Sequence, residues 1–141
     1  MKRYLLLLVV VGIILLPNAE SVVTTLDGPM SPGQPTSGPG GSDYSHGGVQ
    51  KSSYKWGAEQ YWVFEPIGPK PESAPLIVFN HGYFAIYPFF YQEWINHIVR
   101  KGNIVVYPRY QGGFFFGFRN FHSNAIDAVK DAIVTLNSGD H

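Results

Sequence analysis

Residues 76–111 decide the fold, and they read LIVFNHGYFAIYPFFYQEWINHIVRKGNIVVYPRYQ. The stretch begins with a short, continuous apolar run, Leu76 to Phe79, which is typical of a strand buried on both faces. Large apolar side chains then recur at helical spacing from Phe89 to Lys101, and Gly102 predicts the end of that helix. A second apolar run, Ile104 to Tyr107, predicts another buried strand. Strand, helix and strand in this order predict a βαβ unit with parallel strands.

The flanking sequence predicts one more strand and one more helix. Tyr61 to Glu65 is rich in β-forming residues, and Pro66 predicts the end of that strand. Ile67 to Pro75 contains four Pro and Gly residues and predicts a turn. Farther on, Ser123 is a candidate N-cap for an amphipathic helix from Asn124 to Leu136. The expected fold class is therefore α/β, with a parallel sheet.

Composition excludes several classes of protein. The chain has 141 residues, of which 45% are hydrophobic and 16% aromatic, so there is enough apolar material for a core and wholesale disorder is excluded. Ten basic residues balance ten acidic ones, which argues against a nucleic-acid partner. The absence of Cys excludes disulfides, thiol catalysis and cysteine zinc sites.

The N-terminus predicts export. Lys2 and Arg3 precede an apolar run from Tyr4 to Leu16, which is shorter than the roughly 20 residues of a membrane-spanning helix. Residues 1–19 are therefore predicted to be a signal peptide, with a retained membrane anchor through residues 4–16 as the alternative. In both cases the rest of the chain would be secreted or otherwise extracytoplasmic.

A spacer is predicted between this segment and the folded domain. Asp27 to Gly48 is dominated by Gly, Pro and Ser, which cannot bury enough surface to offset the entropy of ordering. We expect residues 20–48 to be a flexible spacer, His46 within it to be solvated, and residues 49–141 to form the domain.

The most informative local motif is Asn80-His81-Gly82-Tyr83-Phe84, directly after the first buried strand. Ligands bind at the carboxyl ends of strands in open parallel sheets, and Gly82 permits a close backbone approach. The amides that follow could then face a developing negative charge. The alternative is a purely structural loop in which His81 is hydrogen-bonded.

Around this motif, residues 74–111 resemble the N-terminal half of secreted α/β-hydrolases of the cutinase, chlorophyllase and polyester-hydrolase type. The resemblance implies the N-terminal, incomplete part of an α/β-hydrolase fold, a mostly parallel sheet with flanking helices. It also implies that the Tyr83 backbone N–H is an oxyanion-hole donor, that His81 and Gly82 shape the oxyanion loop, and that Tyr83 and Phe84 contact substrate. His81 would not be the catalytic base. The implied substrate is a small-molecule or polymeric ester, hydrolysed through a serine acyl-enzyme without a cofactor.

The catalytic nucleophile of that class is missing from the sequence. No Ser lies in a Gly-x-Ser-x-Gly motif, and the nearest candidate, Gly40-Gly-Ser42-Asp-Tyr44, lacks the last Gly. The resemblance implies that the nucleophile, acid and base lie beyond His141. We therefore expect a fragment of a serine esterase that is inactive by itself.

The aromatic and histidine residues allow further interpretations. The aromatic series from Tyr83 to Trp94 could be a stacking platform in a non-catalytic, exported or membrane-anchored binding module. The run Phe114 to Phe116, together with Phe118 and Phe121, is predicted to pack in a core, with a lipid-contacting rim as the alternative. His81, His97, His122 and His141 show no metal-ligand spacing, so no metal site is predicted.

Overall fold

The computed structural model describes residue 28, residues 30–113 and residues 120–139. Within them a sheet of four strands is formed by β1 (Gly48–Tyr54), β2 (Tyr61–Ile67), β3 (Leu76–Val78) and β4 (Ile104–Pro108). The predicted signal segment, residues 1–19, and residues 114–118 of the phenylalanine-rich stretch lie outside the described residues, whereas Phe121 lies within them.

The sheet is mixed, with the order β1-β2-β4-β3. β1 and β2 form an antiparallel pair in which Tyr54 lies opposite Tyr61. β2 is also antiparallel to β4, whereas β3 and β4 are parallel, with Ile77 opposite Val105. Among the described strands, β1 and β3 are the edges.

The prediction of a mostly parallel α/β-hydrolase sheet is wrong. Within the described residues only the β3–β4 pair is parallel, and the other two pairs are antiparallel. The physical reason is the connection from β2 to β3 at residues 68–75, because a parallel crossover needs about a dozen residues or more. A connection this short returns the chain in the opposite direction. The strand β1, which the sequence reading missed, adds the second antiparallel pair.

Two helices cover the two faces of the sheet. A 3₁₀ turn, Pro88–Tyr91, leads into α1 (Gln92–Arg100), and α2 is Phe121–Ser138. Ser123 is not the N-cap of α2, because the helix begins two residues earlier, after Asn120. Neither helix of the described residues has the length and apolarity that crossing a bilayer requires.

The core has two layers, one on each face of the sheet. Phe64, Val105 and Tyr107 pack toward Ile95 and Val99 of α1. On the other face, the sheet residues Tyr61, Val63 and Val106 pack against Ala128 and Ala132 of α2. The side chains of β2 and β4 alternate between these layers, so both strands are almost fully buried.

Residues 33–47 contact α1, although their composition predicts a flexible spacer. The Tyr44 ring lies 3.8 Å from the Arg100 guanidinium and its hydroxyl lies 3.0 Å from His97 Nδ1. His46 is buried rather than solvated, and its Nδ1 lies 2.6 Å from the Pro69 carbonyl oxygen. Gly33–His141 form one compact unit. The boundary between signal segment and spacer, at residues 19 and 20, and the boundary between spacer and domain, at residues 48 and 49, stay predictions.

Candidate functional site

The loop after β3 and the loop after β4 meet at one edge of the sheet. Because these strands are parallel and adjacent, their carboxyl ends lie side by side. Residues 80–85 follow β3, and residues 109–111 follow β4. All four residues that the sequence singles out, His81, Gly82, Tyr83 and Phe84, lie in the first of these loops.

His81 connects the two loops. Its side chain is buried, with Nε2 2.7 Å from the Arg109 carbonyl oxygen and Nδ1 2.7 Å from the Gly82 carbonyl oxygen. The imidazole stacks on the Tyr110 ring at 4.1 Å between centroids, and Tyr107 lies against it at 5.4 Å. The Tyr110 hydroxyl donates to the His81 carbonyl. With both ring nitrogens facing backbone carbonyls, His81 has a structural position and not that of a catalytic base.

Residues 82–85 form a tight turn. The Ala85 N–H donates to the Gly82 carbonyl at 3.1 Å, and Phe84 has φ of +67°. A positive φ at the third position is the pattern of a type II turn, in which glycine is usual. Phe84 therefore holds a strained backbone conformation, which persists only where the surrounding structure imposes it.

The constraint on Phe84 comes from Gln111. The Phe84 N–H donates to Gln111 Oε1 at 3.1 Å, and the Gln111 side chain, which is fully buried, donates from Nε2 to the Gly113 carbonyl at 3.2 Å. A buried amide with both ends bonded is a rigid support, because breaking either contact leaves a desolvated polar group.

Tyr91 and Tyr107 hold the two ends of the turn. The Gly82 N–H donates to the Tyr91 hydroxyl at 3.3 Å, and a Cβ on Gly82 would lie 3.3 Å from that same oxygen. The Tyr107 hydroxyl donates to the Ala85 carbonyl. The glycine at position 82 is thus explained by the close approach of Tyr91 rather than by a positive φ.

The tyrosines beneath the turn keep their protons. Burial raises the pKa of Tyr107 well above its ordinary value, and the neighbouring Tyr91 and Tyr110 raise it further. Burial also raises the pKa of Tyr110, with Tyr91 adding to the effect. Both hydroxyls therefore remain hydrogen-bond donors to the loop throughout the physiological pH range.

Several aromatic side chains beside the turn are exposed. Between 56% and 62% of the surface of Tyr83, Phe89, Phe90 and Trp94 is accessible to solvent. The Tyr83 ring packs on the Phe84 ring with 3.9 Å between their centroids, and Phe89 packs on Phe90 at 4.0 Å. The roles that the resemblance implies for Tyr83 and Phe84, as oxyanion donor and substrate contacts, stay predictions.

An apolar groove of about 330 Å³ begins next to the turn and lies between β3 and α2. Val78, Ile126 and Val129 form its walls, and Asn80 and His122 are its polar residues near the turn. Within the described ranges no group of three His, Asp or Glu side chains could hold a metal ion.

The sequence reading located the loop but missed the residues that hold it. Gln111 and Tyr110 lie in the loop after β4, and Tyr91 directly precedes α1. A usable signal was present in the placement of Tyr110 and Gln111, because the ends of two adjacent parallel strands must meet. Arg109 donates from Nη1 to Gln60 Oε1 at 3.1 Å.

Comparison of the chain with protein-family models, with curated proteins and with solved structures gave no match. The likeness to secreted ester hydrolases therefore depends on the sequence motifs alone, and its functional content is a proposal.

Proposed function

We propose that residues 82–85 are the oxyanion side of the acyl site in an exported carboxylic-ester hydrolase of the serine type. In this proposal the nucleophile is not among the 141 residues, none of which forms a Gly-x-Ser-x-Gly motif. Export through residues 1–19 and an ester substrate, small or polymeric, belong to the same proposal.

The main support for the proposal is the set of hydrogen bonds that fix the backbone of the turn. Four side chains, those of His81, Tyr91, Tyr107 and Gln111, bond the backbone of a turn of four residues. An oxyanion site needs such preorganisation, since a donor that must reorganise during the reaction contributes little to the rate. The strained φ of Phe84 agrees with a functional loop, because strain of this kind concentrates at active sites.

In this proposal the turn supplies the oxyanion donor, and the nucleophile is a serine that is not among the 141 residues. A serine oxygen attacks the ester carbonyl, and the negative charge that develops on the carbonyl oxygen is stabilised by the Tyr83 backbone N–H. The exposed Tyr83 ring and the half-buried Phe84 ring would line the acyl side of the site. The turn by itself has no nucleophile, so the 141-residue chain should not hydrolyse p-nitrophenyl esters.

The first test is to sequence the gene from its source DNA through and beyond codon 141. An open frame that encodes a strand, a Gly-x-Ser-x-Gly motif and later an Asp and a His supports the proposal. A stop codon confirmed on an independent clone overturns it for this chain.

A second test, on that longer protein, is to change Tyr83→Pro. Proline suits the second position of a type II turn and removes the amide hydrogen, so kcat should fall about 100-fold to 1,000-fold. Tyr83→Ala is the matched control, because it removes the ring but keeps the N–H, and it should mainly raise KM. Equal kcat in the two variants contradicts the oxyanion role.

The exposed aromatic side chains favour a second candidate, an exported binding module without catalysis. Phe89, Phe90 and Trp94 would then be a stacking surface for a carbohydrate or a polymer. Binding of the 141-residue chain to insoluble polysaccharide, lost in Trp94→Ala and kept in the equally surface-exposed Val134→Ala, would support this candidate.

A further inference from the structure

Arg109 lies at the same edge of the sheet as the turn, directly after β4. Its N–H donates to the Gln60 carbonyl at 2.8 Å, and its Nη1 donates to Gln60 Oε1 at 3.1 Å. The Arg109 carbonyl oxygen faces His81 Nε2 at 2.7 Å. The backbone of this arginine is therefore fixed between the start of β2 and the loop after β3.

The contacts of the Arg109 guanidinium are all with neutral groups. Besides the Gln60 amide, Nη2 donates to the Gly112 carbonyl at 3.4 Å, and Cζ lies 5.2 Å from the centroid of the Tyr87 ring. No Asp or Glu in the part of the chain that the structure describes forms an ion pair with Arg109. Its positive charge is therefore not neutralised by any described residue.

The guanidinium also keeps unused hydrogen-bond donors. Gln60 and Gly112 each accept from a different Nη atom, so each Nη keeps a hydrogen for a ligand. The Arg109 Nε–H is buried and has no acceptor among the described residues. A buried donor without an acceptor lowers stability, so packing alone does not explain an arginine at this position. The side chain is half-buried, and its contact with Gly112 lies at the exposed surface.

The two strand ends that meet at this edge are poor in acidic residues. Residues 73–92, which include β3 and the turn, contain no Asp or Glu, and neither do residues 103–126, which include β4 and the loop after it. Glu59, which precedes Gln60, lies 3.9 Å from Lys55 Nζ. A carboxylate that approaches Arg109 therefore meets an uncompensated cation and no like charge from either loop.

The guanidinium and the turn are joined through Tyr87 and Tyr107. The Tyr107 hydroxyl donates to the Ala85 carbonyl at the end of the turn and lies 3.4 Å from the Tyr87 carbonyl oxygen. Because the Tyr87 ring packs on the guanidinium, the charged group lies close to the turn. A short molecule with its ester carbonyl at the turn therefore has Arg109 near its other end.

We propose that Arg109 is the carboxylate-binding residue of the candidate site, and that the substrate is a half-ester of a short aliphatic dicarboxylic acid. This inference rests on the proposed function, because it places the ester carbonyl at the turn. The free carboxylate of the half-ester accepts one hydrogen bond from each Nη, the bidentate arrangement to which a planar guanidinium is suited. A neutral diester of the same length loses this contact.

The proposal is tested with monomethyl glutarate and dimethyl glutarate, titrated into the 141-residue chain and followed by ¹H–¹⁵N chemical shifts. Monomethyl glutarate should bind at least about tenfold more tightly, since only the half-ester forms charge-assisted hydrogen bonds. The Arg109 Nε–H and the Gly112 amide should shift with the half-ester. Equal binding of the two compounds, or shifts confined to other parts of the chain, overturns the proposal.

Two variants of Arg109 identify the contact. Arg109→Gln removes the charge, so the affinity for monomethyl glutarate should fall to that for dimethyl glutarate. Arg109→Lys keeps the charge without the planar fork and should weaken binding severalfold. Arg100→Gln is the matched control, because the Arg100 guanidinium lies 3.8 Å from the Tyr44 ring and should not contact the ligand. An equal loss of affinity in Arg100→Gln overturns the proposal.

If the Arg109 variants do not fold, as judged by circular dichroism, the chemical shifts of the unchanged chain decide the matter. This binding test needs no nucleophile, so its failure can be told apart from failure of the proposed function. Absence of half-ester binding overturns the role of Arg109 and leaves the ester-hydrolase proposal in place. A confirmed stop after codon 141 overturns the hydrolase proposal and leaves carboxylate binding by Arg109 measurable.

Discussion

At the scale of single residues, His81 connects the two loops of the candidate site. It bonds a carbonyl in each of two loops and lies against two tyrosine rings. The carboxyl ends of β3 and β4 are thereby fixed relative to each other by one side chain. The contacts describe how a histidine fixes this loop, and the oxyanion-loop role that the resemblance implies for His81 stays a prediction.

Replacing His81→Phe should lower the free energy of unfolding by about 1–2 kcal/mol, because the ring contacts remain while the imidazole N–H donor that faces the Gly82 and Arg109 carbonyls is lost. Urea denaturation measures the change. His122→Phe is the control: His122 is exposed, so its replacement should change stability by less than about 0.5 kcal/mol. An equal effect of the two replacements would contradict the role of His81.

Tyr107 gives a prediction on pH. Its pKa in the folded state is raised by burial from an ordinary value of 10.0, so above that pH the folded protein binds more protons than the unfolded chain. The stabilising contribution is complete below pH 10 and is lost as pH rises toward the raised pKa. Tyr107→Phe should therefore show a shallower loss of stability in alkaline urea titrations. An unchanged slope would contradict the assignment.

At the scale of secondary structure, the end of α1 depends on a single glycine. Gly102 has φ of +95° and its N–H donates to the Val99 carbonyl at 2.8 Å. This left-handed conformation ends the helix and directs the chain into β4. His46 packs against the same glycine, which also holds the segment before β1 at this end of α1.

We expect Gly102→Ala to destabilise the protein by at least about 1 kcal/mol, since alanine disfavours this φ and its Cβ would lie 3.4 Å from His46 Nε2. Thermal unfolding is the measurement. Gly47→Ala is the matched control, because that position has open space around it, and it should cause no loss. A harmless Gly102→Ala would show that another contact ends the helix.

Sequence periodicity was sufficient to locate β3, α1 and β4, because apolar runs and a helical repeat are local signals. The prediction that β3 is buried on both faces is wrong, since Leu76 and Val78 are each more than a third exposed. It was insufficient for β1, whose residues Val49 to Tyr54 alternate too weakly between buried and exposed positions. Strand direction was also missed, although the short connection at residues 68–75 carried that information. The loop at His81 could be located from the end of β3, whereas the support by Gln111 and Tyr107 depends on pairing across the sheet.

At the scale of the whole molecule, the described sheet has an apolar edge. β3 pairs with β4 on one side, and Leu76 and Val78 are each more than a third exposed. Ile126 and Ile133 of α2 continue this surface beside the strand. Unpaired apolar edges promote association between chains.

Self-association of the 141-residue chain should therefore decrease in Val78→Lys, since a lysine on an edge strand opposes pairing with another strand. Sedimentation velocity over a range of concentrations measures it. Val134→Lys, which adds the same charge at an exposed position of α2 outside the groove, should change association less. An equal decrease in both variants would indicate a general effect of charge.

The pairing of β2 with β4 also has a consequence for the order of folding. It places Tyr61 opposite Pro108, so these contacts join parts of the chain that are far apart in sequence. The β1–β2 hairpin and the β3–α1–β4 unit are each built from nearer neighbours and require less loop-closure entropy. We expect both units to form early and their docking along β2 and β4 to set the folding rate.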